Sequence, residues 1–254
     1  MQPLKTVFIT LFRIMLECGF YNMDCLQGVK DIDSESIDLI VTDPPYPTTA
    51  RGQSGSSGGM FQKEINKKGK VFTFNDIDCK EYAPEFYRIL KNGSHCYVMT
   101  NHINLIKMLN TFTECGFHFV KSLIWDKGNK IMGQYYMSQF EYILFFRKGE
   151  GKPINNCGTS DILRIYNKKT KDFKGQNLHD TEKPISLYEL LIQNSSNEND
   201  IVLDPFVGSG SFLVACHNTK RNCIGFELDK EYYDKAKQRL DEEMAQLRIF
   251  DFIQ

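Results

Sequence analysis

Short apolar runs alternate along this chain with stretches whose apolar residues recur every three or four positions. "IDLIV" (37–41) predicts a short buried strand. The pattern over 79–93 predicts a helix stopped by Gly93, and 94–100 the next strand. A second helix is expected over 103–116, ended by Gly116, with strands over 117–128 and 140–149. A helix over 183–195, a strand over 201–206 and a helix over 210–219 follow. The last pair is a strand over 223–228 and a long charged helix over 229–247. Strand and helix alternating in this way predict an α/β fold, a doubly wound and mainly parallel sheet.

The rhythm breaks twice. Residues 47–70 run through "GQSGSSGG" into "KEINKKGK", and 148–178 are polar, basic and weakly periodic. Neither has the apolar content of a second domain, so residues 1–254 read as one domain with a flexible loop at 47–70. Among 254 residues, 41% are hydrophobic and 25% charged, which suits a globular protein with a sizeable core. The net charge of −1 supplies no general attraction for polyanions, so any such partner must be met by local basic clusters. The eight cysteines include no C-x-x-C pair, and the histidines do not gather near them. No metal is expected, and reduced thiols point to a cytoplasmic protein. The N-terminal "LKTVFITLFRIMLECGF" is interrupted by Arg13 and Glu17 and reads as a packed helix or strand, not a membrane span.

Two segments carry chemistry. "IVLDPFVGSGSF" (201–212) is a strand ending in Asp204, then a turn through Gly208 and Gly210 that opens a helix. In open α/β sheets ligands sit outside the carboxyl ends of strands. Glu227, at the end of the next strand, is placed to accept hydrogen bonds from both hydroxyls of a ribose. A dinucleotide fingerprint would need glycine at 213, where the chain has Leu213. Asp204 would repel a pyrophosphate, whereas it suits the ammonium of a ligand such as S-adenosylmethionine.

The other segment is "DPPY" (43–46), following the strand over 37–41. The exocyclic amine of adenine or cytosine is a poor nucleophile because its lone pair is delocalised into the ring. Acceptors that bind its hydrogens favour a pyramidal, reactive nitrogen. Asp43 offers a carboxylate oxygen and Pro44 a carbonyl, with Pro44 and Pro45 restricting the backbone. Tyr46 offers a face on which a base rotated out of a duplex can stack.

With "HDTEKPISLYELLI" (179–192) and "NMDCLQGV" (22–29), these segments resemble the S-adenosylmethionine-dependent DNA amino-methyltransferases. Their order resembles the β group, in which the class I methyltransferase sheet is circularly permuted and the catalytic motif precedes the cofactor motif. The resemblance implies that Asp204, Pro205, Phe206, Gly208, Ser209, Gly210 and Ser211 hold the methionine end of the cofactor. It places Glu227 on the ribose, Asp24 and Cys25 along the adenine, Asp43 at the cofactor's edge, and Thr181 with Lys183 closing the pocket. The chain departs from the family at Ser211, commonly Thr, at Asp180 and Glu182 within "HDTEKP", and at Phe140 before Glu141, where His-Glu is frequent. The added acids would weaken a contact to an anionic partner, and Phe140 leaves the wall of the base pocket undefined.

Double-stranded DNA is the implied substrate. Lys67 and Lys68 in the loop, and Arg164, Lys168, Lys169 and Lys171 in the second break, are the expected phosphate contacts, with Lys127 as a minor one. The resemblance makes 149–178 the candidate target-recognition insertion and 47–70 a loop on the substrate side. Trp125, the one tryptophan, reads as core. Asp43 leans the reading to adenine N6, since cytosine-N4 relatives more often carry Ser there. Cytosine N4, or a binding subunit without turnover, are the alternatives. A homodimer and a cognate restriction endonuclease are further partners the resemblance brings with it.

Overall fold

A computed structural model describes residues 17–45, 77–131, 135–166 and 182–251. Strands run over Gly19–Asn22 (β1), Ile37–Thr42 (β2), Leu90–Thr100 (β3), His118–Ile131 (β4), Ser138–Arg147 (β5), Ile162–Arg164 (β6), Ile201–Asp204 (β7) and Asn222–Glu227 (β8). They form one sheet in the order β1-β8-β7-β2-β3-β5-β4-β6. β5 runs antiparallel to β3 and β4, and every other pair is parallel. The expected doubly wound, mainly parallel sheet is therefore present.

Helices cover both faces. A first turn at Cys25–Gly28 (α1) and helices at Cys79–Ile89 (α2) and Leu105–Glu114 (α3) lie on one side. There Ile40, Cys96, Val98, Leu144 and Phe146 of the strands meet Tyr82, Phe86 and Phe112. Helices at Ile185–Ser195 (α4), Ser211–Asn218 (α5) and Lys230–Asp251 (α6) lie on the other, where Leu39, Val41, Tyr97, Met99 and Ile143 meet Leu187, Leu191, Phe212 and Ala236. Successive residues on a strand point to opposite faces and residues two apart share one, so each strand divides its apolar residues between the two cores.

Three boundaries differ from expectation. The helix expected to reach Gly93 ends at Ile89, because Leu90 takes an extended conformation and pairs with Ile37. Gly93, at φ 79°, sits inside β3, and its N–H bonds Lys148 O at 2.8 Å. β6 was hidden in the polar stretch over 148–178, since three residues pairing with the β4 edge leave almost no periodic signal. β1 overlaps only the last two residues of the N-terminal segment expected to be a helix or strand, and it closes the opposite edge against β8. Residues 1–16 lie outside those described.

The turn after β7 enters α5 through Gly210 at φ 83°. A Cβ there would approach the Ala236 Cβ to 2.9 Å and its backbone oxygen to 3.2 Å, so glycine is required by the packing of α5 on α6 as well as by its dihedral. Gly210→Ala should lower stability by roughly 1–3 kcal/mol. A shift in the denaturant midpoint checks this, and an unchanged midpoint would contradict the packing argument.

Candidate active site

The carboxyl ends of β2 and β7 lie side by side, with Ile40 paired to Leu203. Asp204 joins them. It is fully buried, its Oδ1 accepts hydrogen bonds from the Thr42 hydroxyl at 2.8 Å and the Phe206 N–H at 3.0 Å, and the Tyr188 hydroxyl lies 3.4 Å from Oδ2. Burial pushes its carboxyl up to about 7, against the pull of those donors. The expectation that Asp204 takes the ligand's ammonium is corrected by this placement. Its oxygens are turned inward, and its work is to tie the residue before Asp43 to the start of the glycine turn.

Other cofactor-side residues also have structural partners. Ser211 is buried, and its hydroxyl receives Arg239 Nη1 at 3.1 Å, while the same nitrogen bonds Ser209 O at 3.0 Å. Arg239 also pairs with the buried Glu182 at 2.7 Å. The acid at 182, expected to disturb an anionic partner, instead ties the segment before α4 to the glycine turn through α6. Asp24 caps α1, accepting from Leu26 N at 2.8 Å, and Cys25 is buried behind it. Pro205 and Gly210 are buried, whereas Phe206, Gly208 and Ser209 are half-buried, and the Phe206 ring meets Tyr82 edge-on with centroids 5.4 Å apart.

Glu227 closes this half of the site. Gly208 N–H donates to Oε2 and Asp229 N–H to Oε1, each at 2.9 Å. Burial raises its carboxyl above the ordinary glutamate range, and these backbone donors oppose the rise. A half-buried carboxylate fixed at a strand end, with lone pairs remaining, fits the hydroxyl pair of a ribose.

At the end of β2, Asp43 Oδ1 is buried with no hydrogen-bond partner, while Oδ2 receives the Lys183 ammonium. Lys183 is 7% exposed and lies 3.7 Å from Glu141 Oε2. Lys127 pairs with Glu141 Oε1 at 2.9 Å. Both ammonium groups lie over the buried Trp125 ring, Lys127 at 5.7 Å and Lys183 at 6.0 Å from its centroid. Burial raises the Asp43 carboxyl, and Lys183 draws it back. Burial also acts to raise Glu141, but Lys183 and Lys127 together leave it below the usual range.

Lys127 was expected to face DNA. It is buried and paired within the site, a correction with a simple cause. Trp125 and Lys127 share one strand phase, and Glu141, Ile143 and Phe145 share the facing one. A charged residue in the inward phase of an otherwise apolar strand was the signal that would have found both Lys127 and Glu141. Lys183, expected with Thr181 to close the cofactor pocket, is paired with Asp43 at the end of β2. Pro44 is buried and Pro45 half-buried, and Arg164 is exposed at the end of β6. Tyr46, Lys67, Lys68, Lys168, Lys169, Lys171 and Thr181 lie outside the described residues, as does the loop over 47–70.

Residues 149–161, the first part of the candidate recognition insertion, lie at the other end of the sheet. There Gly151, Lys152, Pro153 and Ile154 help line a cavity of about 500 Å3 with Tyr97, Phe145 and Leu191, away from the charged cluster. Through β6, which runs parallel to β4 and pairs Leu163 with Trp125, the chain returns to the end of the sheet where Asp43 stands.

A doubly wound sheet with a fixed strand-end glutamate beside a glycine turn, next to a strand end bearing a buried acceptor, defines an enzyme of the class I methyltransferase fold. Residues 37–238 match the DNA methylase family N6_N4_Mtase. The type II methyltransferase M.HpaI of Haemophilus parainfluenzae is 32% identical over 244 residues, covering 87% of this chain and 73% of that protein. M.HinfI of Haemophilus influenzae is 30% identical over 240 residues, covering 86% and 67%. The crystal structure of the M1.HpyAVI–SAM complex superimposes with a TM-score of 0.64 at 27% identity, over 87% of this chain and 98% of that one. PvuII DNA methyltransferase, described as cytosine-N4-specific, shares the fold with a TM-score of 0.69 at 18% identity, over 87% and 85%. The chain belongs to the N6/N4 DNA methylase family, and is an S-adenosylmethionine-dependent DNA methyltransferase. Among the described residues, no helix is long and apolar enough to cross a membrane.

The raised Asp204 carboxyl has a consequence for stability. Between the ordinary aspartate range and about pH 7 the folded chain holds a proton that the unfolded chain releases. Its contribution is therefore complete at low pH and is lost as pH rises through 7, a change on the order of 4 kcal/mol. Asp204→Asn keeps the acceptor and cannot ionise. Its melting temperature should exceed the parent's at pH 8, with the gap closing toward pH 4. A deficit that grows with pH would contradict the assignment.

Proposed function

We propose that this enzyme methylates the N6 amine of an adenine rotated out of double-stranded DNA, within a short recognition sequence, as the modification partner of a restriction endonuclease. The observation that carries this reading is the buried, unpartnered Asp43 Oδ1 at the end of β2. A buried acceptor left without a donor is costly unless a ligand supplies one. An exocyclic amine is such a donor.

S-adenosylmethionine supplies the methyl group, activated as a sulfonium. Glu227 binds its ribose, and the turn over Phe206, Gly208 and Ser209 receives the rest. Asp43 Oδ1 accepts one hydrogen of the target amine, and the Pro44 carbonyl accepts the other. The nitrogen lone pair is thereby turned out of conjugation and toward the donor. As the N–C bond forms, the donor's S–CH3 bond breaks and its electron pair stays on sulfur as a neutral thioether, while the nitrogen sheds a proton, which Asp43 takes and returns to water. Tyr46 stacks on the extruded base, as base-modifying enzymes require. The choice of adenine rests on the acid at Asp43, where cytosine-N4 relatives more often carry a hydroxyl.

DNA contacts fall to the strand ends around Trp125. Arg164 is exposed there, the end of β4 adds the exposed Lys130, and the β4–β5 connection adds the exposed rings of Tyr135 and Tyr136, 84% and 92% accessible. Lys168, Lys169 and Lys171 follow Arg164 in the chain.

Asp43→Ala should reduce methyl transfer from tritiated donor by more than about a thousandfold. Donor affinity should stay within a few-fold, and loss of donor binding instead would mean that the two halves of the site have been confused. Methylated-base analysis of DNA from cells expressing the chain distinguishes N6-methyladenine from N4-methylcytosine. Removing the charges at Lys168, Lys169 and Lys171 should weaken DNA binding and flatten its log–log salt slope by roughly 2–3. An unchanged slope would exclude that segment from the interface.

A further inference from the structure

Four charged side chains form a row beneath the catalytic end of the sheet: Asp43, Lys183, Glu141 and Lys127. The row is neutral as a whole. Apolar residues would fill the same space at lower desolvation cost, so its arrangement asks for a reason. The Lys183 ammonium stands between two carboxylates, in direct contact with Asp43 and further from Glu141. Glu141 Oε1 is 2.9 Å from Lys127, whereas its buried Oε2 has no hydrogen-bond partner and stays 3.7 Å from Lys183.

We propose that Lys127 and Glu141 are positioning residues for methyl transfer: Lys127 holds Glu141 back, so that Lys183 remains on Asp43 Oδ2 and Oδ1 is left to face the target amine. This rests on the methyl-transfer reading above.

The two residues act on Asp43 with opposite sign. Without Lys127, Glu141 has Lys183 as its nearest cation and draws it away, and Asp43 then protonates at higher pH. Without Glu141, two ammonium groups face one carboxylate, and Asp43 stays ionised to lower pH. The other groups that face Asp43 are Asp204 at the end of β7 and Tyr188 on α4, and both remain in place in either case. A role in packing alone would not separate the two substitutions by direction.

The test is the pH dependence of single-turnover methyl transfer to unmethylated plasmid DNA. Lys127→Met should move the acidic limb up by about one pH unit or more, and Glu141→Gln should move it down. Lys127→Arg should restore the parent position, and Lys127→Gln serves if the methionine variant does not fold. A second readout needs no turnover. The Asp43 carboxyl, labelled with 13C and assigned by its absence in Asp43→Asn, should titrate with the same two opposite displacements in the protein without DNA. Unmoved midpoints, or displacements in one direction for both variants, overturn the proposal. A parent protein that transfers no methyl group would instead sink the functional reading, and the carboxyl titration would still decide this one.

Discussion

The hydrogen bond from Thr42 to the buried Asp204 is the contact on which the site depends. Thr42 immediately precedes Asp43, the proposed acceptor for the target amine, and Asp204 immediately precedes the glycine turn. A single bond of 2.8 Å therefore sets the spacing between the two strand ends. It is drawn in a fully buried setting, where an unsatisfied partner would be expensive and the geometry is correspondingly strict. The sheet brings the strand ends together, and this bond fixes them relative to one another.

Around that contact the structure places each half on a rigid support. The glycine turn is held from behind by Arg239, which links Ser209, Ser211 and Glu182. Glu227 is fixed by two backbone donors. Asp43 is held on one side only, by Lys183, so its other oxygen is presented without a partner. Some residues expected to contact the cofactor are hydrogen-bonded within the protein. Asp204 and Ser211 belong to this group.

The alternation of apolar runs and helical periods was sufficient for the class of fold, because each core strand contributes to two apolar faces. Boundaries failed where pairing overrode local preference, as at Leu90, or where an element was too short to carry a period, as at β6. That Asp43 and Asp204 stand at strand ends was legible, because the apolar runs before them stop at prolines. The partners of those acids were harder to see. Lys183, Glu141 and Lys127 come from three separate elements, and their meeting depends on strand order and phase. Lys127 in particular looked like a surface cation after the tryptophan, whereas its phase along β4 carries it inward. Asp180 and Glu182 looked alike as departures from a motif, yet Glu182 proves to be half of a buried ion pair.

The central claim is that two strand ends, remote in the chain, meet so that a methyl donor in one half faces an amine held in the other. A crystal structure with S-adenosylmethionine bound tests it most directly. The account requires the donor's methyl group to point into the space in front of Asp43 Oδ1, with its ribose on Glu227. Density placing the methyl on the far side of the glycine turn, or the ribose away from Glu227, would contradict it.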